Sequence, residues 1–116
     1  MRAFLKQFLQ YLQVERNLSP HTIRAYNIDL EGFIDFLEQQ NICQLKEVTS
    51  QQIRAYLMFL MQSLHRRTVN RKLASIRSFF KFLLKKGYIK RHPAEAIFGP
   101  KQGRELPQFL TVDEVF

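Results

Sequence analysis

The stretch Arg66-Arg-Thr-Val-Asn-Arg-Lys-Leu-Ala-Ser-Ile-Arg-Ser-Phe-Phe-Lys-Phe-Leu-Leu-Lys-Lys86 decides the fold. Val69, Leu73, Ile76, Phe80 and Leu83 recur at three- and four-residue spacing, which is the buried face of an α-helix and not the alternation of a half-buried strand. On a wheel of 3.6 residues per turn, Arg67, Asn70, Arg71, Ser78, Lys81 and Lys85 gather on the opposite side, with Arg77 at its edge. Gly87 follows as the stop, because glycine enters the left-handed conformation of a helix end without steric cost.

Upstream the same periodicity repeats. A first helix is expected from about Ala3 to Arg16, with Phe4, Leu5, Phe8, Tyr11 and Leu12 on its inner stripe and Asn17-Leu18 ending it. Ser19 then reads as an N-cap and Pro20 as the first helical residue, where its missing N–H costs nothing. The second helix runs to about Gln40, with Ile23, Tyr26, Leu30, Phe33, Ile34 and Leu37 inward and Arg24, Ile28, Glu31 and Asp35 elsewhere. Gly32 inside it marks a close contact. After a connection from Asn41 to Val48, tucked in by Ile42, Leu45 and Val48, Thr49 caps a third helix through about Leu64. The fourth opens at Arg66 or Arg67 and reaches Lys86, and a short helical turn fits Ala94 to Phe98.

The expected class is therefore all-α, a bundle of four to five helices. Residues 1–98 form the helical domain, and 99–109, rich in Gly, Pro and charge, form a linker. In 110–116, Thr111 and Glu114 make a capping box that opens a further helix, as at the start of a truncated second domain. The plainer alternative is an ordinary frayed end.

At 116 residues the chain is one domain in size, and its 46% hydrophobic content, with 11 Phe and 4 Tyr, can fill a core. Eighteen Lys and Arg against ten Asp and Glu leave a net charge of +8, which calls for a polyanionic partner. No long apolar span or cleavable leader is legible, so a soluble cytoplasmic protein off the membrane is expected. Cys43 is the sole cysteine, read as a packed or half-exposed thiol, and His21, His65 and His92 lack metal-ligand spacing. No cofactor or metal is expected.

The charge is polarised along the chain. Between Arg66 and His92 there are ten Lys or Arg and no Asp or Glu, whereas Asn27 to Ser50 holds Asp29, Glu31, Asp35, Glu38 and Glu47 against Lys46 alone. A merely solvated helix interleaves both signs, so the fourth helix reads as a nucleic-acid face. Its cations suit phosphates, and its Asn and Arg suit bidentate bonds to adenine and guanine edges in a major groove. The start of the second helix, around Ser19, His21, Thr22 and Arg24, offers free N–H groups to a phosphate. His21-Thr22-Ile23-Arg24 also matches H-x-x-R, a spacing found in enzymes that handle phosphodiesters, but no nucleophile or second basic cluster surrounds it.

The run Asn17-Leu-Ser-Pro-His-Thr-Ile-Arg-Ala-Tyr26, with Asp29-Leu30 and Phe33, closely resembles the N-terminal segment of Xer-type tyrosine recombinases and phage-type integrases. Thr68 to Leu83 looks like that family's later helix, and His92-Pro93-Ala94, Pro100-Lys101 and Leu106-Pro107 look like its exit toward a catalytic domain. The resemblance implies a SAM-like core-binding domain, an orthogonal helical bundle forming half of a clamp on duplex DNA. It implies DNA contacts at His21, Thr22, Arg24 and Ala25, and at Arg66, Arg67, Thr68, Asn70, Arg71, Ser75, Arg77, Ser78 and Lys81. Implied partners are double-stranded DNA, a C-terminal catalytic domain of the same protein and other recombinase protomers. The family's catalytic residues belong to that other domain, so none carries over and the chain itself is expected not to be an enzyme. A stand-alone helical DNA-binding regulator, or an interaction domain for an acidic protein, are the competing readings.

Overall fold

A computed structural model of the chain describes residues 1–100. It contains α1 (Arg2–Val14), α2 (Pro20–Gln39), a 3-10 turn (Leu45–Glu47), α3 (Ser50–Met61) and α4 (Arg66–Lys85). Among the described residues all regular structure is helical, as expected, with four α-helices. α2 and α4 pack on each other and on both remaining helices, while α1 and α3 do not meet. The bundle is thus built around the α2–α4 seam.

Local chemistry sets the boundaries. Ser19 Oγ accepts the Thr22 N–H at 3.2 Å and Pro20 opens α2. Gln52 reaches back to accept the Thr49 N–H at 2.6 Å, completing the capping box of α3. α4 is capped by His65, whose Nδ1 accepts the Arg67 N–H at 3.1 Å, a role the sequence reading did not assign to it. Three helices end alike. Asn17, Asn41 and Gly87 take positive φ of 51°, 64° and 80°. Beyond each, a reversed hydrogen bond closes the last turn, from Leu18 to Leu12, Ile42 to Leu37 and Tyr88 to Leu83.

The core takes Leu5, Phe8 and Leu12 from α1, Leu30, Phe33, Ile34 and Leu37 from α2, and Ile53, Tyr56, Leu57 and Leu60 from α3. From α4 it takes the five expected positions and also Phe79 and Phe82, which the wheel left out. Phe8 gathers Phe79, Phe82 and Tyr26 around it at centroid distances of 5.5, 5.3 and 5.6 Å, within the range of favourable aromatic pairs. Gly32 sits where a Cβ would come within 3.2 Å of the Tyr56 hydroxyl, the close contact its place in α2 implied.

Some expectations need correction. α3 stops at Met61, three residues before Leu64, which is instead held by a backbone bond to Leu60. In place of a helical turn over Ala94 to Phe98, the chain makes a non-helical turn over 93–96: Glu95 N–H bonds His92 and Ile97 N–H bonds Ala94, and burial of Ala94 and Ile97 fixes the segment. Cys43 is exposed. Most of the linker and the capped segment Leu110 to Phe116 lie outside the described residues.

Candidate nucleic-acid interface

Charge that is polarised in sequence is also segregated in space. Glu31, Asp35 and Glu38 share one face of α2 and surround the guanidinium of Arg2 at 3.4, 2.5 and 3.2 Å. Those carboxylates raise the Arg2 pKa, with the hydrogen bond that Arg2 donates to Asp35 the largest cause. Asp29 stands about half a helical turn around from Glu31, on the side that meets α4.

The expected DNA-contacting residues of α4 divide into three groups. Arg66, Arg67, Arg71 and Lys81 are exposed. Thr68, Asn70, Arg77 and Ser78 are half-buried. Ser75 is buried at 6% exposure, which removes it from any direct contact, because its hydroxyl donates to Asp29 Oδ2 at 2.8 Å. On α2, His21, Thr22 and Arg24 are exposed and Ala25 is half-buried. Thr22, Ala25 and Asp29 fall at three- and four-residue spacing, so the start of α2 leads along one face to the α4 seam.

Asp29, counted in the sequence only among the acids of residues 27–50, is buried at 1% exposure. Two cations meet its Oδ1, Arg71 Nη2 and Lys72 Nζ, each at 3.1 Å. A buried carboxylate is tolerated only when paired and hydrogen-bonded, and these three donors from one helix meet that need. Lys72 was also missed. Its signal was Asp29 itself, a carboxylate set at three- and four-residue spacing between Tyr26 and Phe33 of the inner stripe.

Two of the half-buried residues are engaged by the chain's own exit. Asn70 Nδ2 donates to the Pro100 carbonyl at 2.8 Å, and Arg77 Nε donates to the Ala94 carbonyl at 3.3 Å. The Arg77 guanidinium also lies 5.9 Å from the centre of the Phe98 ring. They anchor residues 94–100 to α4. What remains outward is a stripe of cations, Arg67, Arg71 and Lys81, continued by Lys85, Lys86, Lys90 and Arg91, all exposed.

The four tyrosines pack in or against the bundle. Tyr56 is in the core, and burial, reinforced by Asp29 and Asp35, pushes its phenol up to about 12. Tyr88 Oη donates to Gln7 at 2.7 Å, and Tyr11 and Tyr26 are half-buried against Phe8. Among the described residues no group of three or more His, Cys, Asp or Glu is placed to hold a metal ion, and no helix is long and apolar enough to cross a membrane.

A four-helix domain with an acid-free cationic stripe on its last helix is the class that fold and surface define. Residues 5–87 match the family described as "Phage integrase, N-terminal SAM-like domain", and the chain belongs to that family. The chain is 37% identical over 116 residues to the tyrosine recombinase XerC of Oceanobacillus iheyensis, an alignment covering 99% of this chain and 38% of that protein. It is 41% identical over 113 residues to the XerC of Halalkalibacterium halodurans, covering 97% and 37%. The XerC of Roseiflexus castenholzii is 40% identical over 116 residues, covering 99% and 37%. The chain therefore spans well under half the length of these relatives. Its fold matches a solved integrase from mycobacterium phage Brujita with a TM-score of 0.73 over 91% of this chain and 35% of that one, at 16% identity.

Proposed function

We propose that this chain is the DNA-holding, core-binding domain of a XerC-type site-specific tyrosine recombinase. It grips duplex DNA with α4 and the start of α2, and strand cleavage and rejoining fall to a C-terminal catalytic domain of the same protein. Residues 1–98 are the binding domain, 99–109 the linker, and 110–116 the beginning of the catalytic part. The partners are the recombination site, that catalytic domain and other recombinase protomers on the DNA. The carrying observation is the outward stripe Arg67, Arg71 and Lys81 within a run from Arg66 to His92 that contains no Asp or Glu of its own, with Asp29 of α2 meeting only Arg71 and Lys72 of its cations.

His21, Thr22, Arg24, Arg66, Arg67, Arg71 and Lys81 are the residues best exposed for contact, with Ala25, Thr68 and Ser78 flanking them. Asn70 and Arg77 serve the interface through the exit segment, and Ser75 through Asp29. The chain alone carries no strand-cutting chemistry.

Titration of a labelled duplex, beside a polyglutamate of matched charge, tests this. The duplex binds with a Kd on the order of 1 µM or tighter at physiological salt, and polyglutamate binds far more weakly. Equal affinity for the two polymers, or none for DNA, overturns the proposal in favour of an acidic-protein partner or of neither.

A further inference from the structure

Asp29, Arg71, Lys72 and Ser75 are asymmetric in a way that ion pairing alone does not require. Lys72 and Ser75 approach the carboxylate from within the seam, with the Lys72 side chain only 15% exposed. Arg71 approaches from outside, its side chain 52% exposed, and spends one terminal nitrogen on Asp29 Oδ1. The rest of its planar fork is not part of that contact. The Ser75 hydroxyl also lies 3.4 Å from the Arg71 carbonyl, so the carboxylate, the hydroxyl and the Arg71 backbone form one unit. The face of α2 that carries Thr22 and Ala25 runs directly into it.

A long cation held only by its own stem binds phosphate but reads bases poorly, because ordering it on contact costs rotamer entropy. A guanidinium gripped at one nitrogen has that ordering done in advance, and its remaining donors keep one direction. We propose that Asp29 is a positioning residue for DNA sequence readout, its buried carboxylate holding Arg71 at the α2–α4 seam so that the guanidinium meets one base edge in a fixed orientation. This rests on the DNA-binding reading above. Asp29 touches no nucleotide, and its negative charge weakens phosphate binding slightly. Discrimination and bulk affinity therefore respond to its removal in opposite ways.

The test uses the 116-residue chain, a duplex it enriches from a randomised pool, and a scrambled duplex of the same composition. Asp29→Asn lowers the selected-to-scrambled affinity ratio on the order of tenfold, the worth of one good base contact, while affinity for the scrambled duplex stays level or rises. Arg71→Ala lowers the ratio equally, and Asp29→Asn added to it changes the ratio no further. Ser75→Ala, which leaves both charges in place, gives a smaller fall in the same direction and serves if Asp29→Asn does not melt cooperatively. NMR of the free chain supplies a check independent of DNA: the Arg71 side-chain Nε–H is motionally restricted in the wild type, less restricted in Ser75→Ala and averaged in Asp29→Asn. A folded Asp29→Asn or Ser75→Ala with an unchanged ratio, additive losses, a wild type with no discrimination, or an Arg71 as mobile as exposed Arg24 each overturns the inference alone. Failure to bind any duplex overturns the DNA reading and the inference with it.

Discussion

Asn70 Nδ2 lies 2.8 Å from the carbonyl oxygen of Pro100, tying the N-terminal part of α4 to the last described residue. Gly99, one residue earlier, packs so closely on the Asn70 amide that a Cβ there would overlap its Oδ1. α4 and the point where the chain leaves the bundle are therefore one mechanical unit. Gly99→Ala forces the amide to turn and breaks the bond to Pro100, at a cost of about 1 kcal/mol. Asn70→Ala costs a similar amount, and the double variant costs little more than either. Urea melts of the four proteins check this, and fully additive costs contradict it.

The α4 wheel has opposite consequences on its two sides. Leu73→Ala, at 2% exposure, removes buried methyl groups and lowers stability by roughly 2–5 kcal/mol. Arg71→Ala weakens DNA binding and costs only about 1 kcal/mol of stability, because Lys72 and Ser75 remain on Asp29 and the lost pair is half exposed. Thermal melts and duplex titrations of both variants separate the roles, and a larger stability loss in Arg71→Ala than in Leu73→Ala means the helix is turned the other way.

Acidification acts on the exit turn through His92. Its Nδ1 accepts the Ala94 N–H at 3.2 Å, and burial holds its pKa below the ordinary 6.5, partly opposed by Glu95. A depressed folded-state pKa gives a contribution present above 6.5 and lost as pH falls through the folded value. The Ala94 amide thus exchanges faster relative to its intrinsic rate at pH 5 than at pH 7.5, while amides of α2 change less. Equal protection of Ala94 at both pH values contradicts the assignment.

Much of this was legible in the sequence because it is local. Ser19, Thr49 and Gly87 announce helix ends through chemistry within a few residues of each end, and Val69, Leu73 and Ile76 announce a buried face through spacing alone. The burial of Asp29 and Ser75 was not legible, and Ser75 was set among the DNA contacts, because each is polar and its partner lies 46 positions away. The contacts of Asn70 and Arg77 with residues 94–100 were not legible for a related reason. A wheel describes one helix, and the strand of chain that returns to cover part of its polar face is not on it.

The core-binding account also bounds the chemistry. With Tyr56 in the core and Tyr88 bonded to Gln7, the chain forms no phosphotyrosyl adduct with a nicked suicide duplex. A tyrosine-linked band on a denaturing gel would place a nucleophile in this domain and reverse the division of labour proposed above.

The central claim is that α4 and its flanks meet the phosphate backbone through an outward cationic stripe, and affinity as a function of salt measures it most directly. With about four to six phosphates contacted, the logarithm of the duplex association constant falls against the logarithm of salt concentration with a slope near −4 to −5. Removing Lys81 reduces that slope by about 1. A slope near zero, with affinity indifferent to salt, contradicts the account.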